Sequence, residues 1–352
     1  MKNLSDHCAF FENSVVNFFL NHNGFKKGVF QMPGIKWNAI IIFLIIISSY
    51  NSFAKQPHYY FTESNLSNDT LTFLQKSPVS NAIRIRTLNY SILGMYGLSM
   101  SWLYSQWYEN YSRSSFHFFN DNKEWELMDK YGHFWDAYNI AKPLMHCYSW
   151  GGYDKNKALL YGVGIAFLFQ TTVEIFDGFS SQWGFSNADM LANVGGLALF
   201  AGQQLFWNEQ RMVLKYSFHQ TQYSKYNSKL LGNSLPENIL KDYNGLTYWL
   251  SINPKSFLKT SFFPQWISLS LGYGAEGMTG GESNPLDVDG KKIPSFERHR
   301  QYYLAIDFDL ARIKTKSQIL NSVFKLINII HLPAPAIEWS PGRKPVYWGF
   351  YF

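Results

Sequence analysis

Residues 267–273 read Ile-Ser-Leu-Ser-Leu-Gly-Tyr, so apolar side chains alternate with small or polar ones. The same alternation returns in residues 302–311, which read Tyr-Tyr-Leu-Ala-Ile-Asp-Phe-Asp-Leu-Ala. Successive side chains of a β-strand point to opposite faces, and an alternation of this kind is therefore the signal of a strand. Both segments are predicted to be strands with one apolar face and one mixed face.

The rest of the C-terminal region extends this pattern. Residues 319–330 return to a helical spacing and are followed by Pro333 and Pro335, which predicts one further helix. Residues 346–352 form an aromatic segment that ends in Phe and resembles the terminal assembly signal of outer-membrane barrels. About four or five strands are expected, whereas barrels start at roughly eight. Residues 245–352 are therefore predicted to be a small antiparallel β region packed on the helices.

The preceding region, residues 84–210, has helical periodicity instead. Four apolar segments are predicted to be helices, the second of them broken near Pro143: 92–108, 128–146, 158–176 and 189–206. Small residues that permit close helix contact recur in these helices, namely Gly94, Gly97, Gly162, Gly164, Gly195, Gly196 and Gly202. Such contacts suit a soluble bundle and a bilayer equally. The expected fold class is α+β, with about four short aromatic-rich helices followed by the β region and its one further helix.

The composition narrows the class of protein. Of the 352 residues, 18% are aromatic and only 16% are charged, which excludes a disordered chain and a coiled coil. The net charge of +6 comes without a long basic stripe, so no nucleic-acid partner is expected. A mean hydropathy of −0.19 is too low for a typical polytopic membrane protein. Many rings with few charges are typical of proteins at a membrane–water boundary.

The N-terminal region has the features of an export signal. Residues 39–47 are the most hydrophobic stretch, but a membrane-spanning helix needs roughly 20 apolar residues. Ser52 and Ala54 place small residues where a signal peptidase reads the chain. We predict that residues 1–54 are a signal-peptide region, with translation starting at Met32 and cleavage after Ala54. An uncleaved anchor helix is the alternative.

Cleavage at this position has a consequence for the cysteines. Of Cys8 and Cys147, only Cys147 would remain in the mature protein, which excludes an internal disulfide there. No cysteine would follow the cleavage site to carry a lipid anchor.

Polar residues on the apolar helices are the candidates for chemistry. Asp129 and His133 are four residues apart and share one helix face. Ser186 is expected to cap the fourth helix, with Asp189 near its start. Because isolated polar groups are costly to bury, these side chains should meet one another. One buried polar cluster is predicted from Asp129, Lys130, His133, Glu174, Ser186, Asp189 and Asn193.

Three roles for such a cluster remain open. It could be a hydrogen-bonded latch that fixes the helix register. It could hold a divalent metal through nitrogen and oxygen ligands, the candidates being Asp129, His133, Glu174 and Asp189. It could also perform acid/base catalysis with Glu174 as base and His133 as acid. No cofactor other than a divalent metal is suggested.

The order of these polar residues resembles a known pattern. It reads Asp-Lys-x-x-His, then Glu at a helix end, then Gly-Phe-Ser-x-x-Asp-x-x-x-Asn-x-Gly, and it covers residues 125–200. The matching residues are Asp129, Lys130, His133, Glu174, Gly178, Gly184, Ser186, Asp189, Asn193 and Gly195. This pattern is similar to that of the YfiM-like predicted periplasmic lipoproteins, which share it with VanZ-like proteins. The resemblance implies a periplasmic protein of unestablished activity.

One further motif is not taken as functional. Residues 272–277 fit the G-x-G-x-x-G pattern of dinucleotide sites, but the residues that follow cannot start the helix such a site needs. No nucleotide partner is expected.

Together these features predict an exported envelope protein at the outer membrane or its periplasmic face. A structural or interaction role is favoured over catalysis, with a membrane or an envelope protein as partner. The alternative is a metal-dependent or acid/base enzyme that acts on an envelope lipid or glycan.

Overall fold

The computed structural model describes residues 75–109, 111–258 and 262–351. All of them belong to one unit that contains both the helices and the sheet. The predicted signal region 1–54, with its start at Met32 and its cleavage site after Ala54, lies outside the described residues.

Four long helices form the first half. They are α1 (Ala82–Leu103, continued by a π-helical turn Tyr104–Tyr108), α2 (Met128–Trp150), α3 (Lys155–Gly178) and α4 (Asn187–Phe206). The predicted break near Pro143 is wrong, because Pro143 lies inside α2. A proline in a helix costs about 3 kcal/mol, and the packing of α3 and α4 on both sides of α2 outweighs that cost.

The bundle packs around α2. Its buried centre contains Ala137, Tyr138, Ala141 and Phe200, among other residues of α2, α3 and α4. The prediction that small residues permit close contact holds at Gly196, where an added Cβ would lie 2.1 Å from the carbonyl oxygen of Phe134. It holds also at Gly162 and Gly195. It is wrong for the others, since a Cβ would meet no atom within 4 Å at Gly94, Gly97, Gly164 and Gly202.

The second half is dominated by strands. They are β1 (Met212–Phe218), β2 (Leu246–Ile252), β3 (Ile267–Glu276), β4 (Asp287–Val288), β5 (Lys291–Lys292), β6 (His299–Phe308), β7 (Ala334–Trp339) and β8 (Val346–Tyr351). Four shorter helices lie between them: α5 (Ser228–Leu231), α6 (Leu235–Lys241), α7 (Pro254–Leu258) and α8 (Gln318–Ile327). The α+β class, with helices first and an antiparallel sheet after them, is therefore confirmed.

Six strands form one antiparallel sheet in the order β1-β2-β3-β6-β7-β8, whereas four or five strands were expected. Strand β1 lies between the predicted helical region, residues 84–210, and the predicted β region, residues 245–352. Its buried and partly exposed side chains do not alternate regularly. Its residues Val213, Leu214 and Lys215 are all buried, because both faces of the strand are covered.

Helix α2 packs on one face of β1, β2 and the end of β3. The ring of Tyr131 stacks on that of Tyr273 with 4.2 Å between centroids, and Trp135 contacts Tyr216 edge to face. The hydroxyl of Tyr138 donates a hydrogen bond to the carbonyl of Met212. The two halves of the protein therefore share an interface.

Beyond α2, the same face of the sheet is apolar and open to solvent. Leu269 and Leu271 of β3 are exposed, whereas Ser268 and Ser270 between them are buried. The neighbouring strands repeat this inversion. The exposed fraction lies between 36% and 52% for the six side chains of this face, which we call the outer sheet face: Leu269, Leu271, Leu304, Ile306, Ile337 and Trp339.

The opposite face of the sheet is enclosed, and it combines buried rings around Trp249, Tyr303 and Tyr351 with buried polar side chains. The free edge of β1 pairs with residues 329–331, since the Tyr216 amide donates to Ile329 O and the His331 amide donates to Tyr216 O. On the far side, the Tyr351 hydroxyl of β8 lies 3.0 Å from that of Thr247 on β2. These contacts close the sheet around its own polar side chains.

Among the described residues, α3 alone has the length and apolar composition that would allow a helix to cross a membrane. Core helices of soluble proteins meet the same criterion, and α3 packs along α2. The choice between a soluble bundle and an inserted one therefore does not follow from α3.

Candidate functional site

The site begins at a strained turn that leads into α2. Trp125, Glu126 and Leu127 all have left-handed backbone angles, with φ of 49°, 51° and 69°. Each such residue costs about 1–2 kcal/mol when it is not glycine. The turn is held by the Glu126 carboxylate, which accepts hydrogen bonds from the Nε atoms of Arg298 and Arg300 at 3.2 and 3.0 Å. This turn positions the polar residues of the first helical turn.

Lys130 is the central cation of the site. Its Nζ lies 2.6 Å from Asp121 Oδ2, 2.8 Å from Asp189 Oδ1 and 3.1 Å from Asp129 Oδ2. Burial by itself would lower the pKa of Lys130, but the charges of Asp129 and Asp189 outweigh burial and raise this pKa. Lys130 therefore stays charged and joins three carboxylates.

His133 lies one turn further along α2, between two acidic groups. Its Nδ1 is 3.4 Å from Glu174 Oε1 and 3.3 Å from Asn193 Oδ1, and its Nε2 is 3.8 Å from Asp129 Oδ1. Burial opposes protonation, but the charges of Asp129 and Glu174 raise the pKa of His133 overall. His133 is thus favoured as a cation.

Asp129 is ionised beside these two cations. Burial would raise its pKa, yet His133, Lys130 and the hydrogen bond from the Tyr243 hydroxyl lower it overall. That hydroxyl donates to Asp129 Oδ1 at 2.8 Å. Tyr243 precedes β2, so the sheet region contributes directly to the site.

The pKa values of Glu174 and Asp189 are raised, in contrast to that of Asp129. Glu174 is only 1% exposed, and burial raises its pKa to about 8. Its Oε2 accepts a hydrogen bond from the Ser186 amide at 3.3 Å, whereas Oε1 has no hydrogen-bond donor among the described residues. Burial and the charge of Asp129 raise the pKa of Asp189 to about 9. Burial therefore opposes ionisation of both carboxyls, whereas the neighbouring cations, His133 beside Glu174 and Lys130 beside Asp189, favour it.

The start of α4 is organised by Ser186, as predicted. Its Oγ accepts a hydrogen bond from the Asp189 amide at 3.1 Å and donates one to Asp121 Oδ1 at 2.8 Å. One turn later, Asn193 Oδ1 accepts a hydrogen bond from Gln170 Nε2 at 2.9 Å. The cap and this amide pair fix α4 against α3.

The structure thus brings all seven predicted site residues into one cluster. We call it the helix cluster, and with Asp121 it comprises Asp121, Asp129, Lys130, His133, Glu174, Ser186, Asp189 and Asn193. Sequence reasoning missed Asp121, which lies in an aperiodic loop whose only cue is the turn-like Asn-Asp-Asn at residues 120–122. It also missed Gln170 and Tyr243. Gln170 interrupts the apolar run of α3, and that interruption was the available signal.

Further acidic groups surround the helix cluster. The Tyr108 hydroxyl donates to Asp177 Oδ1 at 2.7 Å, and burial raises the pKa of Asp177 to about 7. Burial also raises the pKa of Asp136 to about 6. The region therefore holds more carboxyl groups than cations.

The helix cluster also reaches the surface. Asp121 and Ser186 line a surface depression together with Phe119, Asn122 and Asn187. A proton or a small ion can therefore approach the Asp121 end of the cluster without unfolding of the bundle.

The four predicted metal ligands are not equally placed. Ligand atoms of Asp129, His133 and Asp189 lie within 4.8 Å of one another. Glu174 is outside this set and faces the other nitrogen of His133. Lys130 Nζ contacts two of the three carboxylate candidates, Asp129 and Asp189, at 3.1 Å or less. The lysine ammonium therefore already supplies the positive charge that a metal ion would bring to these carboxylates.

A second polar cluster lies inside the sheet, and the sequence did not predict it. We call Lys215, Ser251, Asp307 and His331 the sheet cluster. Lys215 Nζ lies 2.7 Å from Asp307 Oδ2, and both side chains are 0% exposed. The Ser251 hydroxyl donates to the same carboxylate oxygen.

His331 belongs to this sheet cluster. It is buried and stacks on the ring of Trp249 with 4.0 Å between centroids. Burial lowers the pKa of His331 to about 4, so the ring is neutral. Neither ring nitrogen has a hydrogen-bond partner within the described part of the chain.

Comparison with protein families gives one match over the helical half. Residues 117–203 match the family described as Predicted periplasmic lipoprotein (DUF2279), and this range contains every residue of the helix cluster. Comparisons with curated proteins and with solved structures give no match. The matched range is about a quarter of the chain. Over that range the chain is similar to periplasmic lipoproteins, which supports an exported, periplasmic protein of the cell envelope whose activity is unknown.

Proposed function

We propose that this protein docks on the outer membrane through the outer sheet face and serves a structural or interaction role in the envelope. The observation that carries the proposal is the inverted sheet, in which apolar side chains are exposed and polar ones enclosed. The helix cluster then acts as a latch between helices and sheet.

The inversion is unusual for a protein surrounded by water. An antiparallel sheet with one wet face normally places its polar side chains there. Here Leu271 and Leu304 face each other across β3 and β6 and are exposed, whereas Ser270 and Ala305 are buried. Full burial of a Leu or Ile side chain stabilises by about 1.5–3 kcal/mol. Contact of six half-exposed side chains with lipid would therefore gain on the order of several kcal/mol.

Aromatic side chains continue the outer sheet face at its margin. On β8, Tyr347 lies opposite Ile337 of the outer sheet face, and both Tyr347 and Phe350 are strongly exposed. Trp and Tyr are the residues that concentrate at membrane–water interfaces. This arrangement supports a lipid surface as the occupant.

Fractionation tests the proposal. We expect the wild-type protein to sediment with outer membranes and to resist carbonate extraction. Leu271→Asp combined with Leu304→Asp should release it into the soluble periplasmic fraction, because two charges would then face lipid. Leu286→Asp is the matched control, since Leu286 is 86% exposed outside the outer sheet face.

Recovery of all wild-type protein in the soluble periplasm would reject the proposal. Retention of the double variant in the membrane fraction, with an unchanged circular dichroism spectrum, would reject the outer sheet face as the docking surface. Release of the Leu286→Asp control would show that any added surface charge has this effect.

The helix cluster supports a second candidate, an acid/base or metal-dependent enzyme acting on an envelope lipid or glycan. The specific observation is Glu174, a buried carboxyl whose pKa is raised to about 8 and whose Oε1 faces His133 without a hydrogen-bond donor among the described residues. A general base needs a pKa near the working pH. Asp129, His133 and Asp189 would be the metal ligands.

Elemental analysis of purified protein separates the metal version from the rest. A stoichiometric divalent metal in the wild type that is lost in His133→Ala would support it. Wild-type protein without stoichiometric metal after incubation with zinc, manganese or magnesium salts would exclude it.

A further inference from the structure

We infer that α8, with the lysines beside it, is an interfacial helix that lies on anionic lipid headgroups. The inference rests on the proposed membrane docking and adds a second contact with its own lipid preference. A segment outside the helical half would thus select the surface on which the protein docks.

The sequence of α8 makes one face apolar. Ile319, Val323 and Leu326 recur at helical spacing, while the polar residues lie on the other side. Ser317 caps the helix, since its Oγ accepts a hydrogen bond from the Leu320 amide at 3.3 Å. A short helix with such a cap and such a face is stable when the apolar side is buried.

In this protein the apolar side is not buried. Ile319 is 70% exposed and Leu326 is 71% exposed, and no residue from Ile319 to Ile327 is buried. An amphipathic helix of a water-soluble domain normally turns this side to the core.

The polar side fixes the helix in this orientation. Asn328 Oδ1 accepts a hydrogen bond from the Leu310 amide at 2.8 Å, and its Nδ2 donates to Asp309 Oδ1 at 3.0 Å. At the other end, Asn321 Oδ1 accepts from the Thr315 amide at 2.8 Å. Asp309 directly follows β6, whose exposed Ile306 belongs to the outer sheet face. The polar side of α8 is therefore tied to the body of the protein, and its apolar side remains exposed.

The exposed charges along α8 have a single sign, since the nearby Asp309 is buried and paired with Arg312. Lys314, Lys316 and Lys325 are exposed, and the sequence has no acidic residue between Asp309 and Glu338. Within the described residues, none of these lysines has a carboxylate partner at ion-pair distance. The local field is positive at α2 as well. Burial first, and then the charges of Lys142 and Lys325, lower the pKa of His146 to about 4.

An apolar helix face bordered by lysines complements a lipid surface with anionic phosphates. Such helices lie in the interface with the apolar side among the acyl chains and the lysines at the headgroups. Each lysine near an anionic leaflet contributes about 1 kcal/mol, or roughly a fivefold change in partition. Three lysines should together account for roughly a 100-fold preference for anionic lipid.

Vesicle binding of the purified protein tests the inference. Sedimentation is measured with vesicles of phosphatidylcholine alone and with vesicles that also contain phosphatidylglycerol. The wild type should partition roughly 100-fold better into the anionic vesicles, and the triple variant Lys314→Gln, Lys316→Gln, Lys325→Gln should lose that preference. The charge-matched control is Lys123→Gln, Lys291→Gln, Lys292→Gln, whose lysines are exposed elsewhere. The control should keep the preference.

A second variant, Ile319→Ser with Leu326→Ser, should weaken binding to both kinds of vesicle. Both positions are exposed, so the melting temperature should stay at the wild-type value. If the wild type binds both vesicles equally, or if the lysine variant keeps the preference, the inference is wrong while the proposed docking stands. If the protein sediments with native membranes but binds neither vesicle, a protein partner covers α8 and lipid recognition is rejected. Failure of the proposed docking would appear separately, as recovery of all wild-type protein in the soluble periplasmic fraction.

Discussion

The helix cluster and the sheet cluster use the same residue types, a lysine, aspartates and a histidine, but they differ in charge balance and in access. In the sheet cluster Lys215 meets one carboxylate, both side chains are 0% exposed, and His331 is neutral. In the helix cluster Lys130 meets three carboxylates next to a surface depression. A balanced, sealed pair can only hold structure together. An over-acidic cluster in contact with solvent must take up protons or a cation, and for that reason it is the better candidate for function.

Removal of the lysine should therefore cost most in the sheet cluster. Lys215→Met leaves Asp307 buried and unpaired, which should lower the free energy of unfolding by about 3–5 kcal/mol. Urea unfolding followed by tryptophan fluorescence measures this. Lys215→Met combined with Asp307→Leu should regain most of the loss, because no charge then remains buried. A single variant as stable as the wild type would show that water reaches Asp307.

The matching change in the helix cluster should cost less and should depend on pH. In Lys130→Met the carboxyls of Glu174 and Asp189 can stay protonated, and Asp121 can contact solvent. We expect a loss of about 2–3 kcal/mol at pH 8 and a smaller loss at pH 5, measured by the same unfolding experiment. Lys123→Met, at an exposed lysine in the preceding loop, is the control. An equal loss at both pH values would remove the distinction between the two clusters.

The wild-type protein should itself become less stable as the pH rises. The folded state holds the Glu174 proton up to about pH 8, whereas an unfolded glutamate releases it near its ordinary pKa of 4.5. The raised pKa values of Asp189 and His133 act in the same direction, since stability present below the ordinary pKa is lost as the pH rises through the folded one. The lowered pKa of Asp129 acts only at more acidic pH, below its ordinary value of 3.8.

Glu174→Gln isolates one part of this dependence. A neutral amide has no proton to lose, so the variant should flatten the decline between pH 6 and pH 8 by about 2 kcal/mol, one proton over about two pH units. Chemical unfolding across this range gives the slope. Glu237→Gln, which changes a carboxyl outside both clusters, should leave the slope unchanged. A wild-type stability that rises from pH 6 to pH 8 would mean that Glu174 is already ionised in the folded protein.

The contrast between the clusters also explains which parts of the molecule were predictable. Asp129, His133 and Glu174 stand out because they are polar residues on apolar helices, and helical spacing already places them on facing sides. Lys215 and Asp307 do not stand out, because a polar residue at every second position of a strand normally faces water. Alternation separates the two faces of a strand without telling which one is covered, and the closure of β1 by residues 329–331 depends on tertiary contacts.

The smallest expected effect concerns the backbone contact between α2 and α4. Gly196→Ala would place a Cβ 2.1 Å from Phe134 O, and the helices must separate to admit it. Such overpacking costs about 1–3 kcal/mol, because the atom met is a backbone oxygen and no side-chain rotation can relieve the contact. Gly202→Ala is the matched control on the same helix. Its Cβ would meet no atom within 4 Å, so it should be neutral or stabilising by about 0.5–1 kcal/mol.

The decisive readout of this pair is the histidine within the helix cluster. Separation of α4 from α2 moves Asn193 away from His133, so the NMR signals of the His133 ring should shift in Gly196→Ala and not in Gly202→Ala. The ring signals of His331 should stay unchanged in both variants, because no hydrogen bond or ion pair joins the sheet cluster to α4 among the described residues. A shift of both histidines together would mean that the two clusters respond as one network, and the division between a structural and a functional cluster would then fail.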